Sequence, residues 1–208
     1  MNNTPFTDYG EKMTNIKDPN ALSVYEAATF GAGCFWGTEH VFRQIPGIVY
    51  TQVGYMGGRV KNPDYKTVCM GNTNHAEVVQ MYYDPNAISY ERLLDIFFEI
   101  HDPTTLNRQG NDVGTQYRSV IFYHTPEQKT EAVKFKAELT KSKRFKRPVV
   151  TQIEPAGAFW AGEEYHQRYL EKNPGGYCHI PTWVMKDVVK KNQETDNQKT
   201  ETKFRFAK

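Results

Sequence analysis

The apolar runs of this sequence change period in a fixed order, and that order restricts the fold more than any other feature. Val24 to Phe30 reads as a buried strand. From Cys34 to Gln44 the apolar residues Val41, Phe42 and Ile45 recur at helical spacing until Pro46-Gly47 stops the run. Ile48 to Tyr55 alternates as a second strand, ended by Gly57-Gly58, and a loop follows. Ala76 to Tyr83 places Glu77, Val79, Met81 and Tyr83 on one face of a third strand before Asp84-Pro85-Asn86 turns the chain. Ser89 to Ile100 carries Leu93, Leu94, Phe97 and Phe98 on one side of an amphipathic helix, and Tyr117 to Tyr123 is the next strand. The resulting β-α-β-β-α-β order predicts an α+β domain of the ferredoxin-like, split β-α-β kind, a sheet with helices on one face.

Further elements follow. Thr125-Pro126-Glu127-Gln128 has capping-box spacing and opens a helix toward Lys141. Val149 to Ile153 reads as a strand, Gly162 to Glu171 as a short helix, and Asn173-Pro174-Gly175-Gly176 as irregular chain leading to Cys178. The polar ends, residues 1–20 and 186–208, read as tails around one catalytic domain over residues 21–185. At 208 residues the chain suits one well-cored domain.

Lys and Arg total 26 against 24 Asp and Glu, so no global field points to nucleic acid or an anionic membrane. The basic run from Lys134 to Arg147 is interspersed with Glu138 and reads as a solvated helix face. The N-terminus lacks the charge and apolar pattern of an export signal, and no segment has the length of a membrane span. A cytoplasmic monomer is therefore expected. Three widely separated cysteines, Cys34, Cys69 and Cys178, make no disulfide framework and read as thiols. Their spacing also lacks the close ligand pairs of a zinc site, so no metal is expected.

Gly33-Cys34-Phe35-Trp36-Gly37 sits where a strand hands over to a helix. A helix N-terminus favours the thiolate, the nucleophilic form of cysteine, and two aromatic rings supply an apolar pocket beside it. The flanking glycines invite a dinucleotide reading, but Trp36 occupies the third glycine position and its ring would block a pyrophosphate. Other polar residues are placed by strand ends and turns: Tyr65 in Asn62-Pro63-Asp64-Tyr65, Glu77 after His75, and Asp112 and Tyr117 in the run from Gln109. Glu77 on an apolar strand face is either at an exposed end or retained for its proton. Taken singly, Tyr65, Tyr117 and Asp112 are ordinary residues, and His75 reads as a solvated or strand-capping histidine rather than a base.

Six ordered motifs, GCFWG, NPDY, HAEVV, QGNDVGTQYRS, EEYHQRYL and NPGGYC, make the stretch from Phe30 to Ile180 resemble the peptide methionine sulfoxide reductase A family. The resemblance implies Cys34 as nucleophile, Phe35 and Trp36 as holders of the substrate methyl group, Glu77 as acid, and Tyr65, Asp112 and Tyr117 as the rest of the oxygen-binding site. It implies Cys178 as the resolving cysteine and thioredoxin as reductant, with free or protein-bound methionine-S-sulfoxide as substrate and no cofactor. Cys69 reads as a structural bystander in a loop. Asn74, Met70 and Trp160 stand where the family often has glycine, serine and tyrosine, and no cysteine follows Cys178, which argues against a relay of two disulfides. A thiol peroxidase using the same cysteines and a non-catalytic module that binds oxidised methionine remain the competing readings.

Overall fold

The computed structural model describes residues 22–205, with side chains described through residue 195. The expected N-terminal tail, residues 1–20, lies outside the described residues. In chain order the elements are β1 (Glu26–Ala32), α1 (Phe35–Phe42), β2 (Ile48–Met56), α2 (Tyr65–Cys69), β3 (Ala76–Tyr83) and α3 (Tyr90–Ile100). Then come the small hairpin β4 (Arg108–Gln109) and β5 (Asp112–Val113), β6 (Ser119–Tyr123), α4 (Pro126–Lys141), β7 (Gln152–Pro155), β8 (Trp160–Ala161), α5 (Tyr169–Lys172) and α6 (Thr182–Arg205).

The main sheet runs β7-β6-β1-β3-β2-β8. Its central four strands, β6-β1-β3-β2, are antiparallel throughout, as the split β-α-β order requires. β7 joins β6 in parallel, and β8 joins β2 antiparallel. Alternation puts Ala28, Phe30, Val79, Met81 and Tyr83 on the face that packs against Val41, Phe42, Leu93, Leu94 and Phe97 of the helices. The opposite face holds a smaller cluster of Met56, Ala76, Val78, Val120 and Phe122 under Ala156 and Phe159. Among the described residues no helix is long and apolar enough to cross a membrane.

The helices start where their capping chemistry dictates. Ser89 Oγ accepts from the Arg92 amide at 3.2 Å, and Thr125 Oγ1 accepts from the Gln128 amide at 3.2 Å. Gln128 does not close the box on Thr125; its Oε1 takes the His124 amide at 2.9 Å instead. His101, at the end of α3, ties that helix to β6 through Phe97 O and Ser119 Oγ at 2.6 and 2.7 Å. Burial drives its pKa down to about 4, so it is a neutral core histidine.

Two expectations need correction. The helix expected over residues 162–171 is reduced to Tyr169–Lys172, because Arg168 takes a left-handed conformation with φ 55° and breaks the run. The polar segment from residue 186 continues as helix to Arg205, with Val188 fully buried and Val189 nearly so against the core. Arg92 Nε donates to Asn192 Oδ1 at 2.9 Å, fastening α6 to α3.

Candidate active site

Cys34 is the N-cap residue of α1 and is buried. Gly33 before it has φ +91°, and a Cβ there would lie 2.6 Å from Gln109 Cγ, so only glycine permits this entry into the helix. The Trp36 amide, in the first turn of α1, acts to lower the Cys34 pKa, as a helix N-terminus should. Burial outweighs that effect, and the Glu77 charge adds to it, so the thiol pKa is raised well above the ordinary value. The resting residue is a thiol; the thiolate expected from the helix N-terminus alone does not prevail.

Glu77 lies on the core face of β3, cross-strand from Tyr55 of β2, and is 1 % exposed. It therefore does not sit at an exposed strand end. Phe35 N-H, in the first turn of α1, donates to Glu77 Oε2 at 3.1 Å. Burial pushes its pKa up to about 8 despite that bond, with a smaller push from Asp112, so the carboxyl keeps its proton at neutral pH. Cys34 and Glu77 thus meet across one peptide unit.

Two phenols and a carboxylate close the polar side. Tyr65 opens α2, whose start is fixed by a capping box between Asp64 and Thr67. Burial and the nearby Cys69, Glu77 and Cys34 raise the pKa of its hydroxyl. Tyr117, at the end of a 3-10 turn before β6, is held protonated by burial and by Glu77. Both phenols are therefore donors at neutral pH. Asp112 lies beside Tyr177, and burial raises its pKa.

The apolar side is an aromatic cage organised by His166, a residue that sequence reasoning did not single out. Its ring lies 5.1 Å from Phe35, 5.7 Å from Trp36 and 4.5 Å from Tyr65 between centroids. Trp36 Nε1 donates to His166 Nδ1 at 3.0 Å, and the indole stacks on Tyr169 at 3.8 Å. Glu163 braces the cage, accepting from Tyr55 Oη at 2.9 Å and from the Tyr65 amide at 2.7 Å. Glu39 Oε2 accepts the Arg168 amide at 2.7 Å and so anchors the segment that carries His166 and Tyr169 to α1. The EEYHQRYL motif was the only sequence signal for these residues.

Cys178 reaches α1 directly. A Cβ added to Gly37 would stand 2.5 Å from Cys178 Sγ, so the thiol lies against the helix surface one turn beyond Cys34. The Cys178 charge also acts on Cys34. All three cysteines are free. Cys69 ends α2 rather than lying in a loop. His75 is buried, not solvated: its Nδ1 accepts from Gly58 N at 3.1 Å and its Nε2 binds Val60 O at 2.8 Å, which pins the loop before α2. Asn74, at the position where glycine is common, takes φ 59°, a conformation asparagine tolerates. Among the described residues no group of three His, Cys, Asp or Glu side chains could hold a metal ion.

Known proteins share this arrangement of sequence and fold. A family model described as peptide methionine sulfoxide reductase matches residues 26–198. The peptide methionine sulfoxide reductase MsrA of Methanoculleus marisnigri is 63% identical over 153 residues, covering 74% of this chain and 93% of the relative. The reduced form of Mxr1 from Saccharomyces cerevisiae superposes with a TM-score of 0.73 at 42% identity, covering 79% of this chain and 93% of that one. Mxr1 in complex with Trx2 matches with a TM-score of 0.52 at 32% identity, over 75% of this chain and 90% of that one. The chain belongs to the peptide methionine sulfoxide reductase A family.

Proposed function

We propose that the protein reduces methionine-S-sulfoxide, free or in proteins, to methionine with Cys34 as nucleophile and Glu77 as acid. The observation that carries this reading is the protonated carboxyl of Glu77, held at 3.1 Å from the amide that follows Cys34. Sulfoxide oxygen is a poor leaving group until it is protonated, and a carboxyl kept neutral by burial supplies that proton. Tyr65 and Tyr117 donate hydrogen bonds to the same oxygen as charge develops on it, and Asp112 completes that side. Phe35 and Trp36 take the methyl group, with the indole held in orientation by His166 and Tyr169.

Attack of the Cys34 sulfur on the sulfoxide sulfur transfers the oxygen to Cys34 as a sulfenic acid and releases methionine; the thiol proton restores Glu77. The Cys178 thiol then condenses with the sulfenic acid, expelling water and leaving a Cys34–Cys178 disulfide. An external dithiol reduces it, and thioredoxin is the fitting one, given the Mxr1 complex with Trx2. A cytoplasmic setting, where thiols are kept reduced, suits three free cysteines.

The test is one turnover without reductant, followed by mass spectrometry of the digested protein. One methionine per chain and a Cys34–Cys178 bridge are expected. With each pure epimer supplied in turn, only the S form should react. Multiple turnover by Cys34→Ser, or a bridge through Cys69, refutes the assignment.

A further inference from the structure

Arg118, the penultimate residue of the QGNDVGTQYRS motif, follows Tyr117 and is 5 % exposed. Its hydrogen bonds run to neutral acceptors. Nε donates to Gln152 Oε1 of β7 at 2.9 Å, and Nη1 donates both to Asn74 O at 3.1 Å and to Thr115 O at 3.0 Å. Withdrawing a guanidinium from water without a bonded carboxylate is costly, and a neutral side chain would fill the place at less cost. What the cation does there is read from the two carbonyls it joins.

Asn74 lies three residues before Glu77, and Thr115 two residues before Tyr117. The sheet does not pair the segments that carry these two groups. β1 stands between β3 and β6, with Phe30 opposite Val79 on one side and Ala32 opposite Ser119 on the other. Asn74 has φ 59° and precedes the β2–β3 ladder, which ends at Met56 and Ala76, so its carbonyl has no place among the strand bonds. Among the described residues, Arg118 makes the side-chain hydrogen bond that joins the turn of Tyr117 to the approach of β3. Gly57 leaves the space for it, since a Cβ there would stand 2.9 Å from Arg118 Nη2.

We propose that Arg118 is a positioning residue that holds the Tyr117 hydroxyl in place relative to the Glu77 carboxyl. The proposal rests on the reading in which Glu77 protonates the sulfoxide oxygen and Tyr117 donates to it. Two donors aimed at one developing charge work only at fixed separation, and a small displacement of either is felt in the rate. One guanidinium nitrogen bonded to both backbones sets that separation, and the bond to Gln152 keeps the guanidinium from swinging away.

The experiment measures the burst of methionine from the full chain mixed with excess methyl sulfoxide and no reductant. Arg118→Lys keeps the charge but lacks the planar fork. Its burst rate at saturating substrate should fall about tenfold, with the half-saturating concentration changed less than about twofold. On a Tyr117→Phe background the same substitution should cost less than about twofold, whereas on a Tyr65→Phe background it should cost the full factor, because coupling is confined to groups that act together. A merely structural role would lower the melting temperature without that selective coupling. Gln152→Met, in a half-buried strand, removes the Nε acceptor and should show the same pattern with a fall of about threefold, so the test stands even if Arg118→Lys does not fold. A fall of equal size with and without the Tyr117 hydroxyl, or an unchanged burst rate in the folded variants, overturns the proposal and leaves the reading of Tyr117 intact. A wild-type burst rate in Tyr117→Phe refutes that reading, and the proposal with it.

Discussion

Glu77→Gln should make the protein more stable and nearly inactive, and both effects follow from one buried proton. In the folded chain the Glu77 carboxyl titrates at about 8 against an ordinary value of 4.5. Between those values the folded state keeps a proton that the unfolded state releases, so stability is full below pH 4.5 and falls as pH rises toward 8. The loss amounts to about 5 kcal/mol across that window and about 3 kcal/mol at pH 7, at 1.36 kcal/mol per pH unit. Glutamine has the donor and acceptor of the neutral acid, including an oxygen for the Phe35 amide, but no proton to lose. Urea denaturation of the two proteins at several pH values isolates the effect, because all other titrating groups cancel in the difference. The curves should coincide near pH 4.5 and diverge until about pH 8, with the variant the more stable. Turnover of methyl sulfoxide should fall by roughly 10²–10⁴-fold in the variant, the usual worth of a positioned acid, and the wild-type rate should decline above pH 8 where the variant has no such limb. Parallel stability curves across that window would refute the claim that burial holds the proton.

Three other substitutions probe separate parts of the site and fold. Gly37→Ala pushes a Cβ to 2.5 Å from Cys178 Sγ, so after a normal burst of methionine the disulfide should form at least about tenfold more slowly in quenched-flow alkylation, since a misplaced reacting group loses proximity. His166→Phe removes the acceptor of Trp36 Nε1 and should raise KM about fivefold with kcat little changed, in keeping with about 1 kcal/mol for one hydrogen bond. Val188→Ala, in a helix that composition reads as a tail, should cost about 2 kcal/mol in chemical denaturation, from two buried methyl groups and the cavity they leave.

How far the fold could be read in advance depended on period. The β3 alternation gave both its bounds and the anomaly of Glu77, because a charged residue on an apolar face stands out at period two. Helix α6 was hidden by its surface: among its described residues from 186 on, Val188 and Val189 are the buried apolar ones and Asn192 the buried polar one, too few for an amphipathic pattern. The expected helix before Cys178 failed at Arg168, whose left-handed backbone is set by the long-range bond from its amide to Glu39. The same limit applies to the site. Cys34 and the rings after it are local in sequence, whereas His166, Glu163 and Tyr55 act through contacts across more than a hundred residues, which the EEYHQRYL motif around the first two does not reveal. The thiol chemistry was misjudged for a related reason: a helix N-terminus is visible in a motif, but the burial that outweighs it is not.

The cross-strand pairing of Tyr55 with Glu77 carries a further consequence. Side chains alternate faces along a strand, so sliding β3 by one residue against its neighbours would carry the acid through the sheet to the side away from Cys34. The distance between Glu77 and Cys34 is therefore a matter of register before it is a matter of side-chain packing. Inserting one residue between Glu77 and Tyr83 would leave every catalytic group in the chain and yet silence the enzyme, while an insertion of the same size in the turn at Asp84 would be absorbed by the loop.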